Sequence, residues 1–219
     1  WLLLDTLRRQ GAMTYPEGVD PRDPAFAPRA KEFFVREKEG DSRASIFGWL
    51  PSRGSNRRLD FLVRLLERST DLESGERRRV AQETLQGLWR HLTAPGGPWQ
   101  SHLPAENRPR VGVVYRLNYR LWEWVPTADG APVLYRCNRC QAASPVNLRG
   151  VCPTYGCDGM LEPVGPDDPA WRENHYRHLY LHLLPIPLQA EEHTAQWRPE
   201  EAGKVQDKFA RGEINLLSC

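Results

Sequence analysis

The 219-residue chain is 40% hydrophobic and 26% charged, the balance of a globular protein of one or two domains rather than of a disordered or fibrous one. Its formal net charge of +2 is too small to name a polyanion as partner by itself. Its longest apolar runs, Trp1-Leu2-Leu3-Leu4 and Ile214 to Leu217, fall far short of the roughly 18 residues a membrane span needs, so no transmembrane helix and no membrane partner are expected.

The chain lacks a basic-then-apolar leader, so a cytoplasmic, reducing setting is expected, in which paired thiols serve a metal rather than disulfides. It opens at Trp1 inside a helical pattern and closes at Cys219 directly after a strand-like run. The expectation is a trimmed or incomplete chain whose activity needs residues outside it.

The predicted fold class is mixed α and β: a mostly helical N-terminal region over 1–110, a small β and zinc-knuckle module over 111–165, and a partial βαβ unit over 166–219. Apolar spacing predicts helices over Leu2 to Arg9, Arg29 to Lys38, Leu59 to Glu67, and Glu76 to Leu92, the last with Val80, Leu85, Leu88 and Leu92 as its apolar face. A Pro/Gly/Asp-rich stretch from Tyr15 to Pro28 interrupts them, and Pro95-Gly96-Gly97-Pro98 ends the block.

Ahead of the third helix, the run from Ser52 to Arg58 is a basic loop in which Arg53, Arg57 and Arg58 present planar forks suited to phosphate. The competing reading is a solvated loop whose Ser55 or Asn56 caps the helix. From Val111 the period shortens. Val113 to Leu117 and Arg120 to Val125 alternate as half-buried strands do, and Asp129-Gly130 turns the chain into Val133-Leu134-Tyr135.

Where that hairpin ends stand Cys137 and Cys140, spaced Cys-x2-Cys, then Cys152 and Cys157, spaced Cys-x4-Cys. Short loops of this kind let four sulfurs converge on one ion at bond lengths near ~2.3 Å, and four cysteines leave no open position. A structural zinc site is predicted, with Asn138 and Gly156 supplying turn chemistry inside the two knuckles. Such a metal supplies folding free energy on the order of 10 kcal/mol.

His175, His178 and His182 follow on one predicted helical face, but no carboxylate or cysteine completes a second site in register, and Tyr176, Leu179, Tyr180 and Leu183 read as a core stripe. Trp89, Trp99, Trp122 and Trp124 read as core rather than as platforms for stacking bases.

The last segment reads as strand, helix and strand: Leu188 to Trp197, then Pro199 to Arg211 opened by Pro199-Glu200-Glu201 at the positive helix end, then Glu213 to Leu217. The pattern is that of a βαβ element of a parallel sheet. The run Glu192-His193-Thr194-Ala195-Gln196-Trp197, with Val205-Gln206, Phe209, Gly212-Glu213 and Ile214-Asn215-Leu216-Leu217-Ser218-Cys219, resembles the second RecA-like lobe of superfamily 2 DEAD/DEAH-box helicases. It is most similar to the large bacterial type that carries a four-cysteine cluster and an added C-terminal domain of unknown function. The likeness covers about Pro187 to Cys219; Ala202 and Gln196 depart from the arginine and glycine common there.

The resemblance implies a parent that couples ATP hydrolysis, with Mg, to movement along nucleic acid, DNA being the first expectation. It implies that His193, Thr194 and Gln196 face the nucleic acid or the cleft between lobes. The alternative for these residues is that Thr194 and Ala195 pack a strand end. This chain carries no Gly-x4-Gly-Lys-Ser/Thr loop and no acidic Mg-holding box, so it is expected to be inactive alone and to need the remainder of the helicase chain. A second reading of the whole is a zinc-stabilised nucleic-acid or protein binding module without a motor.

Overall fold

The computed structural model describes residues 1–24, 31–38, 45–123, 134–165, 168–169, 173, 175–182, 189–192 and 198–218. The chain is mixed α and β and divides into two compact units, Trp1–Gly165 and Pro166–Cys219.

In the first unit, α1 (Leu2–Arg9) buries Leu7, and its half-turned acid Asp5 is held by Arg8 and Arg9 at 2.7 and 2.6 Å. Helix α2 (Arg57–Glu67) starts where Asn56 accepts hydrogen bonds from the amides of Arg58 and Leu59, so Asn56 is the cap. Helix α3 (Ser74–Leu92) turns Ala81, Leu85, Trp89 and Leu92 inward. Leu85 and Leu92 are as expected. Val80, expected on that face, is not among the buried residues, while Trp89, read as core, is: its ring meets Trp49 at 5.8 Å and Tyr115 edge-on at 5.2 Å.

A four-stranded sheet, in the order β2-β1-β4-β3, lies in the same unit. Its strands are β1 (Phe34–Arg36), β2 (Ile46–Gly48), β3 (Ala105–Arg108) and β4 (Gly112–Tyr115). Strand β1 corrects the helix expected from Arg29 to Lys38, whose described part is extended. Phe34 and Val35 favour a pleated surface, and the segment pairs parallel with β2 and antiparallel with β4. The strand expected from Arg120 to Val125 is also corrected: Tyr119–Leu121 form a 3-10 turn capped by Asn118, after which Trp122 packs on the core. Trp124 and the turn at Asp129-Gly130 lie outside the described residues.

The core gathers Leu7, Val35, Trp49, Leu59, Leu85 and Leu117, with Trp99 and Trp122 packed on its margin. Among the described residues its one buried cation is Arg58. The guanidinium donates to the carbonyls of Trp49 (2.9 Å) and Gly48 (2.5 Å), to Thr6 Oγ1 (2.7 Å) and to Gln10 Oε1 (3.1 Å). Burial pushes its pKa down to about 10, which leaves it charged at neutral pH.

The remaining strands of this unit, β5 (Leu134–Cys137), β6 (Ala143–Ser144) and β7 (Leu161–Val164), form an antiparallel sheet in the order β6-β5-β7. In the second unit are α4 (His175–His182), β8 (Ala190–Glu192), α5 (Pro199–Ala210) and β9 (Leu216–Ser218). Strands β8 and β9 pair in parallel with Ala190 opposite Leu216 and Glu192 opposite Ser218, joined through α5, which buries Val205. Among the described residues, no helix is long and apolar enough to cross a membrane.

Candidate metal centre

Strand β5 delivers Cys137 at its end, buried, and the chain turns at once. The turn is closed by the Gln141 amide donating to the Cys137 carbonyl at 3.0 Å, with Gln141 itself in the left-handed region at φ 61°. Cys140 lies on this turn, exposed.

After β6 the chain returns through Gly150, where a left-handed φ of 73° lets the backbone reverse. The Val151–Met160 bridge then ties the base of the second loop. That loop carries Cys152 and Cys157, both buried, closed by the Cys157 amide on the Thr154 carbonyl at 3.2 Å. Gly156 stands at φ 66° inside it.

The two loops bring the four sulfurs within 4.8 Å of one another. The near pairs run between the knuckles: Cys137 Sγ to Cys157 Sγ at 3.7 Å and Cys140 Sγ to Cys152 Sγ at 3.5 Å. A disulfide would place sulfurs about 2.05 Å apart, and all four cysteines are free thiols. A tetrahedron of metal–sulfur bonds of about 2.3 Å has edges of about 3.8 Å, which the near pairs approach. The donor set therefore fits a zinc-type ion held by Cys137, Cys140, Cys152 and Cys157.

Amide donors support the same chemistry. Each sulfur has the backbone N–H two residues onward beside it: Arg139 at Cys137, Ala142 at Cys140, Thr154 at Cys152 and Gly159 at Cys157. Hydrogen bonds to a thiolate favour its ionised form.

The thiols nevertheless do not ionise alike. At Cys140 desolvation acts upward, but donation from Thr154 and the Ala142 amide outweighs it and brings the pKa down to about 6. Desolvation pushes Cys152 up to about 12 and raises Cys157 as well. Four negative charges this close, three of them on buried cysteines, need a cation to coexist, which a divalent metal supplies.

Gly159, which the sequence reading passed over, shapes the site, as does Asn138, which that reading placed in the first knuckle. A Cβ built on Gly159 would lie 2.5 Å from Cys137 Sγ and 2.7 Å from Arg139 Cβ, so only glycine leaves room for that sulfur. Gly159→Ala is expected to displace Cys137 and to lower zinc content well below that of the wild-type chain in atomic absorption; full zinc occupancy would contradict this. Asn138 joins the first knuckle to β7, with its Oδ1 accepting from the Met160 amide at 3.0 Å and its Nδ2 donating to Glu162 at 2.9 Å.

The other predicted site residues are scattered. Arg53 and Arg57 are exposed, while Arg58 is turned into the core, where carbonyls occupy the fork expected to meet phosphate. His193, Thr194 and Gln196 lie outside the described residues. On α4, His178 and His182 stack at 4.9 Å on an exposed face. Among the described residues the four cysteines are the group of metal-holding side chains that the fold brings together. The chain matches no protein-family model, no curated protein and no solved structure.

Proposed function

We propose that this chain is part of an ATP-dependent nucleic-acid helicase or translocase, to which it contributes a structural zinc module and part of the second RecA-like lobe. The observation that carries the reading is the parallel β8-α5-β9 unit. It is formed by the same residues, Ala190 to Ser218, whose sequence resembles that lobe, and a parallel crossover through a helix is the repeating element of a RecA-like sheet. Pro199 at the first turn of α5, with Glu200 and Glu201 beside it, gives this helix a defined start. ATP and Mg belong to the parent, and DNA is the partner.

The test is the coding sequence on either side of this chain, followed by ATPase assay of its complete product. A Gly-x4-Gly-Lys-Ser/Thr loop upstream, an arginine-finger motif downstream and hydrolysis stimulated by single-stranded DNA are expected. Stop codons closing the frame at both ends would overturn the motor.

The zinc-stabilised binding module without a motor is the second reading. It is favoured by the exposed Arg53, on the loop that leads into α2, and Arg57, at the first position of that helix. It predicts salt-sensitive binding of single-stranded DNA that Arg53→Ala and Arg57→Ala weaken without loss of stability.

A further inference from the structure

One face of α2 carries Asp60 and Arg64, and the C-cap residue Arg68 continues the row, the three spaced four apart and so stacked along the helix. All three reach the second knuckle. Arg64 Nη1 donates to the carbonyls of Cys152 (2.8 Å) and Cys157 (2.6 Å), and its Nη2 donates to that of Thr154 (3.0 Å). Arg68 donates to the carbonyls of Gly150 (3.0 Å) and Asp158 (3.1 Å). Asp60 Oδ2 accepts from the Gly156 amide at 3.1 Å and, at 2.6 Å, holds the Arg64 fork in place. Arg64 and Asp60 are both largely shielded from solvent, at 14% and 18% side-chain exposure, so this contact is not a screened surface pair.

We propose that Asp60, Arg64 and Arg68 form a clamp through which metal occupancy and the anchoring of α2 become one linked equilibrium, making α2 and its Arg53 and Arg57 loop responsive to zinc. The two carbonyls that Arg64 grips belong to metal-ligating residues. Their separation is set when Cys152 and Cys157 bind one ion, and a rigid planar fork rewards that one spacing. Two guanidinium groups also lie against a site whose four thiolates and divalent ion sum to a net negative charge. By linkage, whatever zinc contributes to holding α2, α2 returns to zinc affinity. Asp60, Arg64 and Arg68 are positioning residues: they touch the backbone of the ligand loop and not the ion.

The inference rests on the metal reading of the cysteines and not on the helicase reading. It is tested on the whole chain by hydrogen exchange of α2 amides with zinc bound and after zinc is stripped, and by zinc affinity in competition with a chromophoric chelator. Stripping is expected to speed α2 exchange about tenfold or more. The Arg64→Ala/Arg68→Ala pair is expected to weaken zinc binding by about 10- to 100-fold, the range for residues that orient ligands. Arg64→Lys, which keeps the charge and loses the fork, is expected not to restore affinity, and Arg90→Ala on the exposed side of α3 is expected to change neither readout.

Wild-type α2 exchange that ignores zinc would overturn the clamp without any variant having to fold, as would wild-type affinity in the double variant or full rescue by lysine. A chain that takes up no zinc at all would overturn the metal reading itself.

Discussion

Stripping the zinc is expected to unfold the β5-β6-β7 module, a loss on the order of 10 kcal/mol of folding free energy. The cluster packed around the four-cysteine site consists of Cys137, Cys152, Cys157 and Leu161, with Tyr135 at its edge. Without the ion, the module has Val151, Leu161 and Val164 as buried aliphatic side chains against the conformational entropy of the knuckle loops, at about 1–2 kcal/mol for each residue ordered. Burial also pushes two of the thiols up, so the metal-free site gains nothing from their ionisation. Cys152→Ser is expected to act as the chelator does, because it leaves three sulfurs and a weak oxygen donor. Zinc per chain by atomic absorption, read beside thermal unfolding, checks both. A chain shown to be free of zinc with an unchanged unfolding profile would refute the structural role. Acidification is expected to release the metal as well, since protons compete for the thiolates.

Arg58→Ala is expected to destabilise the first unit by about 3–5 kcal/mol, the range for breaking a buried, hydrogen-bonded charged group. The substitution strips a donor from each of the Trp49 and Gly48 carbonyls and from Thr6 and Gln10. It also leaves a void beside Trp49, whose ring lies 5.2 Å from the guanidinium carbon. The fork joins α1, the end of β2 and the start of α2, so its loss loosens elements far apart in the chain. Arg58→Lys is expected to recover little, because one ammonium cannot span acceptors on both sides. Urea unfolding monitored by tryptophan fluorescence measures the change, and a loss below about 1 kcal/mol, the scale of a single ordinary hydrogen bond, would show that water replaces the fork. Arg53→Ala and Arg57→Ala, on the exposed part of the same basic run, are expected to leave stability within about 0.5 kcal/mol.

The contrast between Arg58 and its neighbours shows where sequence reading reaches its limit. A basic run predicts solvent and phosphate for all three arginines, since charge is most often exposed. Which one turns inward depends on helix phase and on carbonyls left free by a strand end and a capped turn, which belong to other parts of the chain. The α2 clamp is similar. The helix from Leu59 to Glu67 was legible, but the partners of Asp60, Arg64 and Arg68, from Gly150 to Asp158, are some ninety positions away in sequence.

By itself the sequence determined what is encoded locally. Helices over Leu2 to Arg9 and Pro199 to Ala210, and the body of the long helix to Leu92, follow from apolar spacing, an acidic first turn or an N-terminal proline, all of which act within a turn or two. The two cysteine pairs were equally legible, because short knuckle loops oblige their own sulfurs to approach. Only the tertiary structure decided that Phe34 to Arg36 is a strand, that Val80 stays outside the buried set of its helix, that Gly159 must lack a side chain, and that Arg58 and Arg64 are structural cations. In each of these the competing local states differ by little, and the contact that selects between them comes from a distant segment, so the choice is made by packing and hydrogen-bond satisfaction after the chain has come together.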